Sequence, residues 1–174
     1  MPDPSDPFVQ PIMQYIDLHN AEMKFGQSQR LDVNSDGSND FYFETLLVGD
    51  PILKRDRKQF YAYSKIETYL LHGPDDQTPP LANGNAIGLR QPGYLWFDIA
   101  AIVLAEKIIP LTGASYWEGS WKEAKHRYLA IQLKKNNLIY NGWVEISFDH
   151  NQEKLIFHRA AICKNPGVSI KAGL

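Results

Sequence analysis

The sequence predicts a mainly β domain: an antiparallel sandwich or barrel-like sheet with at most one short helix. Three observations point there. Aromatic residues make up 12% of the 174 positions, with 9 Tyr, 8 Phe and 4 Trp, and such side chains suit a pleated, half-buried surface. The last third alternates between two faces with the period of a strand. Gly, Pro, Asn and Asp collect between the alternating runs, as turns between short strands require.

Along the chain, Pro2, Pro4, Pro7 and Pro11 forbid a helix over residues 1–11, which are read as a flexible N-terminal arm. Residues 12–174 are read as one β-rich domain, long enough to bury a sizeable core. Residues 13–19 alternate well enough for a first strand. Residues 29–33 lead into an acidic loop, and residues 41–48 are rich in strand formers, so the two make a hairpin joined by that loop. Gly49, Asp50 and Pro51 end it. Residues 59–67 and 68–71 read as one or two further strands. The stretch 72–93 holds Pro74, Pro79, Pro80, Gly84, Gly88, Pro92 and Gly93 and exceeds an ordinary hairpin connection. Loops of that length tend to be functional or mobile. The short helix is expected within residues 97–109, where Ile99, Ile102, Val103 and Lys107 fit helical spacing, with Pro110 and Gly113 as its stop. Residues 127–133, 138–148 and 154–160 then form an antiparallel meander joined by polar turns.

The formal net charge is -2, which favours neither an acidic nor a basic partner. The cluster Lys54, Arg55, Arg57 and Lys58 is interrupted by Asp56 and reads as a solvated turn, so no nucleic-acid partner is expected. The lone cysteine, Cys163, excludes an intrachain disulfide and reads as a small buried hydrophobe. The longest apolar run, 99–105, is too short to cross a bilayer, so no transmembrane segment is expected. The first residues lack the basic and apolar regions of a signal peptide. Their proline-rich run is of a sort found after a lipidated cysteine. Either the protein is cytosolic or a leader has been removed and Met1 added; the second is expected, because of the acidic loop that follows.

The strongest chemical signal is Asp32-Val33-Asn34-Ser35-Asp36-Gly37-Ser38-Asn39-Asp40, which reads D-x-N-x-D-G-x-x-D. A calcium ion (Ca2+) takes six to eight oxygens, and oxygens on alternate residues converge if the chain curls. Gly37 permits the curl. Asp32, Asn34, Asp36, Ser38 and Asp40 are the candidate ligands, Ser38 through its carbonyl. The spacing matches the first nine positions of an EF-hand loop. The twelfth position is Phe43 rather than Glu, and the flanks read as strands, so a structural ion is expected and not a helix-opening switch. The alternative is an Asx-rich, metal-free turn. Affinity on the order of 0.1–1 mM, typical of extracellular modules, is useful only where calcium is plentiful.

These residues resemble a family. Residues 31–41 are similar to the D-x-N-x-D-G-x-x-D-F segment of small secreted or lipid-anchored bacterial β-rich proteins. Tyr128-Leu129-Ala130-Ile131 with Tyr140-Asn141-Gly142-Trp143 resembles their later strand pair, which carries a Y-x-G-W motif. Residues 156–161 and Ile170-Lys171-Ala172-Gly173 resemble their closing strand and tail. The chain departs from the pattern at residues 159–162, where an aromatic Y-A-Y-E stretch is common. The resemblance covers the first hairpin and the last third. It implies an exported location and a β-rich fold, not a reaction.

Other chemistry is less sharply drawn. Trp143 is expected to pack in the core beside Gly142, which allows close backbone approach. Trp96, Tyr116, Trp117 and Trp121 lie in loop-like contexts and are candidates for a sugar-stacking platform, with core packing as the alternative. Asp98, Glu118, Glu123 and Glu145 could supply paired carboxylates, but no spacing selects a pair. The five histidines show no zinc spacing. No catalytic residue is assigned. The expectation is a non-enzymatic, exported cell-envelope module (periplasmic, outer-membrane lipoprotein or secreted), held by one structural calcium and binding a glycan or a cell-surface protein. The alternatives are a carbohydrate-binding module and a small glycan hydrolase.

Overall fold

The computed structural model describes residues 10–174, which form thirteen strands and no helix. In chain order the first six are β1 (Met13–Lys24), β2 (Gln29–Leu31), β3 (Phe41–Asp50), β4 (Arg55–Ser64), β5 (Thr68–His72) and β6 (Ala86–Ile87). Then come β7 (Leu95–Asp98), β8 (Ala101–Pro110), β9 (Tyr116–Glu118), β10 (Arg127–Lys135), β11 (Leu138–Asp149), β12 (Lys154–Cys163) and β13 (Ile170–Lys171). The expected arm at 1–11 lies outside the described residues except for its last two positions.

Two antiparallel sheets carry the fold. One has six strands in the order β1-β12-β11-β10-β5-β7, the other five in the order β2-β3-β4-β8-β9, and neither closes into a barrel. Period-two alternation puts Leu129, Ile131, Val144, Ile146, Leu155 and Phe157 on the inner face of the first sheet. Phe41, Phe43, Phe60, Ala62, Ile102 and Leu104 face them from the second. Edge-on aromatic pairs cross the interface, Phe43 on Phe157 at 4.7 Å and Phe60 on Phe148 at 5.3 Å between ring centroids. The architecture is a mainly β sandwich.

A second apolar cluster lies on the outer face of the six-stranded sheet. Tyr128, Ala130, Trp143, Ala161 and Cys163 are covered there by Ile87, Val168, Ile170 and Ala172. The pairing of β6 with β13 fastens the long 73–94 connection to the C-terminal tail and makes this cover. The meander runs as its alternation predicts, and the β10–β11 turn uses Asn136 and Asn137 at φ 52 and 62, the left-handed pair a two-residue hairpin needs.

The expected helix within 97–109 does not exist. Leu95–Asp98 ends the six-stranded sheet, Ile99 turns at φ 49, and Ala101–Pro110 runs between β4 and β9 in the other sheet. Alanine propensity yields here to burial of Ile102, Leu104 and Ile108 on a pleated strand. The first strand also passes its expected end at residue 19. A bulge that places His19 and Asn20 at φ 55 and 53 lets it continue to Lys24.

Candidate functional site

The acidic loop joins β2 to β3, closed at its neck by the Asp40 N–H on the Leu31 carbonyl at 2.7 Å. The Asp32 carboxylate accepts the backbone N–H of Asp36 at 3.1 Å and of Gly37 at 2.8 Å. Asn34 Oδ1 accepts the Asp36 N–H at 3.2 Å, and Asp36 Oδ1 accepts the Ser38 N–H at 2.9 Å. These Asx turns curl the chain through Ser35 and Gly37, at φ 58 and 88. Asp32 and Asn34 are half-buried, Asp36 and Ser38 exposed, and Asp40 buried. Two lysines approach: Lys65 Nζ donates to Ser38 Oγ at 2.8 Å, and Lys135 Nζ lies 3.6 Å from Asp36 Oδ2.

The loop's carboxylates differ electrostatically. Burial pushes the Asp40 carboxyl up to about 6; the Val33 N–H and Lys65 pull it down, while the charges of Asp36 and Asp32 add to the rise. The Ser38 N–H, helped by Asn34 and Lys135, holds Asp36 below the ordinary carboxylate range against a smaller effect of burial. The donor set of the loop is oxygen throughout, which suits a hard cation and not a soft one.

The four aromatic candidates do not assemble into a platform. Trp121 is fully buried, and its indole N–H donates to the Thr78 carbonyl at 2.8 Å. Trp117 packs against Phe60 and Phe148, with the Phe148 ring 5.1 Å away. Trp96 sits on the other sheet, half-buried under the cover, with its N–H on the Gly88 carbonyl at 3.2 Å. Tyr116 alone of the four is exposed. Their loop-like sequence contexts are short strands and a turn, and the apolar area of each indole is drawn inward. Trp143 is buried, as its strand context predicts.

Exposed aromatic surface occurs instead beside β7. A groove of about 770 Å³ is lined by His72, Asp76, Tyr94, Phe97, Asp98 and Ile99, among others. The His72 ring meets Phe97 edge-on at 5.5 Å, and its Nε2 lies 2.9 Å from Asp76 Oδ1. Asp98 thus faces the groove. Glu118 lines a neighbouring cleft, Glu123 lies 3.4 Å from His150 Nδ1, and Glu145 is elsewhere again. Of the four carboxylates weighed as an acid pair, Asp98 and Glu118 line adjoining clefts that share Asp76 and Ala101, while Glu123 and Glu145 line neither.

A polar cluster that the sequence does not announce lies on the outer face of the six-stranded sheet. His126 Nδ1 is 2.6 Å from Glu145 Oε2, and Arg159 Nε donates to Glu145 Oε1 at 3.0 Å. The His158 ring stacks on His126 with centroids 4.1 Å apart. His158 Nδ1 lies 2.6 Å from Asn20 Oδ1, and its Nε2 2.8 Å from Ser147 Oγ. Burial opposes ionisation of Glu145, but the bonds from His126 and Arg159 outweigh it and hold the carboxyl below its ordinary range. Burial, then the neighbouring His126, holds His158 below the ordinary imidazole range. Donor atoms of His126, Glu145 and His158 all lie within 4.8 Å of one another.

Comparison with protein-family models, curated proteins and solved structures finds no match to this chain. No helix among the described residues is long and apolar enough to cross a membrane.

Proposed function

We propose that the chain is an exported, non-enzymatic cell-envelope module of the small secreted or lipid-anchored kind. In this reading one structural calcium at residues 32–40 fastens its first hairpin. One observation carries the reading: an all-oxygen curl around Gly37 sits between two paired strands, with a buried carboxylate, Asp40, at its foot. Asp32, Asn34, Asp36 and Asp40 would hold the ion by side chains and Ser38 by its carbonyl. A divalent cation offsets the mutual repulsion of three carboxylates and draws Asp36 away from Lys135. The millimolar affinity expected of such a loop supports an extracellular address.

Calcium-dependent thermal melting tests the reading. At roughly ten to a hundred times the dissociation constant, the ion adds about 1.4–2.7 kcal/mol, a rise in midpoint of roughly 3–10 °C for a chain of this size. Asp36→Asn and Asp40→Asn should remove the rise. Equal midpoints in calcium and in chelator would sink the idea.

A carbohydrate ligand is the reading the groove beside β7 favours. Tyr94 and Phe97 offer faces for sugar stacking, and His72, Asp76 and Asp98 offer polar edges for hydroxyl groups. Loss of a glycan-array signal in Phe97→Ala, at an unchanged melting midpoint, is the expected result. A signal that survives this substitution would locate binding elsewhere.

A further inference from the structure

We infer that His126, Glu145 and His158 form a binding site for a divalent transition-metal ion of the zinc class, on the outer face of the six-stranded sheet. The site is distinct from the acidic loop in both place and chemistry. Two imidazoles and one carboxylate match the nitrogen-rich preference of zinc, whereas calcium requires oxygens in greater number.

The ligand atoms are already gathered and oriented. Asn20 Oδ1 can only accept, so His158 Nδ1 carries the proton and its Nε2 lone pair faces Ser147 Oγ at 2.8 Å. This is the arrangement that orients metal-bound histidines, in which the far nitrogen donates to an oxygen. Arg159 occupies Glu145 Oε1, and its guanidinium lies over the Trp143 ring at 5.2 Å. Oε2 is left as the oxygen directed at His126, 2.6 Å from Nδ1. A proton now lies between Nδ1 and Oε2, and another between Ser147 and Nε2, in contacts a cation would take over. The His126 side chain is 64% exposed, so a coordination position stays open to water.

Backbone irregularities build this spot. β11 pairs Glu145 with Arg159 and Ile146 with Phe157, which leaves His158 as the extra residue of a bulge. β1 pairs Asp17 with Arg159 and Ala21 with Phe157, so the bulge that carries Asn20 lies opposite. His126 itself holds φ 48, fixed by its N–H on Ser147 Oγ at 2.9 Å. Bulges re-aim side chains in this way next to functional sites.

The test uses tag-free, chelator-treated chain resupplied with calcium. It is titrated with zinc chloride by calorimetry and with cobalt(II) by visible absorption. One equivalent of zinc should bind, and cobalt should give the intense visible bands of a four-coordinate site with nitrogen ligands. His126→Ala and His158→Ala should each weaken binding by about tenfold or more, and Asp36→Asn should leave it unchanged. The exposure of His126 makes His126→Ala the variant that keeps its fold, checked by circular dichroism. Equal affinity in wild type and His126→Ala, or no saturable zinc binding in wild type, overturns the inference.

Discussion

The indole nitrogen of Trp121 donates to the carbonyl oxygen of Thr78 at 2.8 Å, with both residues fully buried. This bond fastens the start of the long 73–94 connection to the turn after β9. Trp121→Ala should therefore cost about 3–5 kcal/mol by loss of a buried aromatic. Trp121→Phe should cost roughly 1–3 kcal/mol, because it leaves the buried carbonyl only the longer contact from Ser120 Oγ at 3.3 Å. Urea unfolding reads both. Near-native stability of Trp121→Ala would show that the ring is not part of the core.

Gly142 is packed against its neighbour strand. A Cβ there would meet the Ala161 carbonyl oxygen at 2.5 Å and Ile162 Cδ1 at 2.9 Å. The backbone oxygen cannot move without disturbing the β11–β12 ladder. Gly142→Ala should destabilise by about 1–3 kcal/mol or more through overpacking, seen as a lower midpoint in denaturant with an unchanged slope. A neutral outcome would mean the two strands lie further apart.

Burial pushes the folded Asp40 carboxyl up to about 6, against an ordinary 3.8. Between those values the folded chain holds a proton that the unfolded chain has released. The stability this group contributes is full below about pH 4 and falls as pH rises through 6, by roughly 1–3 kcal/mol. Melts in chelator from about pH 4 to pH 7 should show that slope in wild type and a flatter one in Asp40→Asn. Parallel profiles would dismiss the effect.

Cys163 is buried, and burial pushes its thiol above the ordinary range, against hydrogen bonds with the backbone of Asn165 and Ile12. Native protein should react with a disulfide reagent only as fast as it opens, and urea-unfolded protein at once. Rapid labelling of the native chain would contradict the cover made by β13 and the tail.

Much of the fold is legible in the residues themselves. The meander from 127 to 163 follows directly from alternation and from the Asn136-Asn137 turn. Residues 97–109 are misleading because their alanines suit a helix, and the switch of sheets at Ile99 leaves no local mark. The same holds for Trp121, whose polar neighbours Ser120 and Lys122 suggest exposure although the ring is drawn inward by the core. The acidic loop shows its pattern in one contiguous run. The cluster of His126, Glu145 and His158 does not, since the bend before β10 and the strands β11 and β12 supply one ligand each and a bulge sets the aim of His158. A histidine and a glutamate on neighbouring strands carry no spacing rule that a linear reading can apply.

The pairing of β1 with β12 joins positions roughly 130 to 150 residues apart. Such a ladder forms only after nearly all of the described chain exists, and the loop entropy it must overcome puts folding in the slow millisecond-to-second regime of β sandwiches. The hairpins β10–β11 and β11–β12, by contrast, pair residues close in sequence. Asn20 reaches His158 only when the first strand is laid down, so this anchor of the stacked imidazoles depends on the long-range β1–β12 ladder.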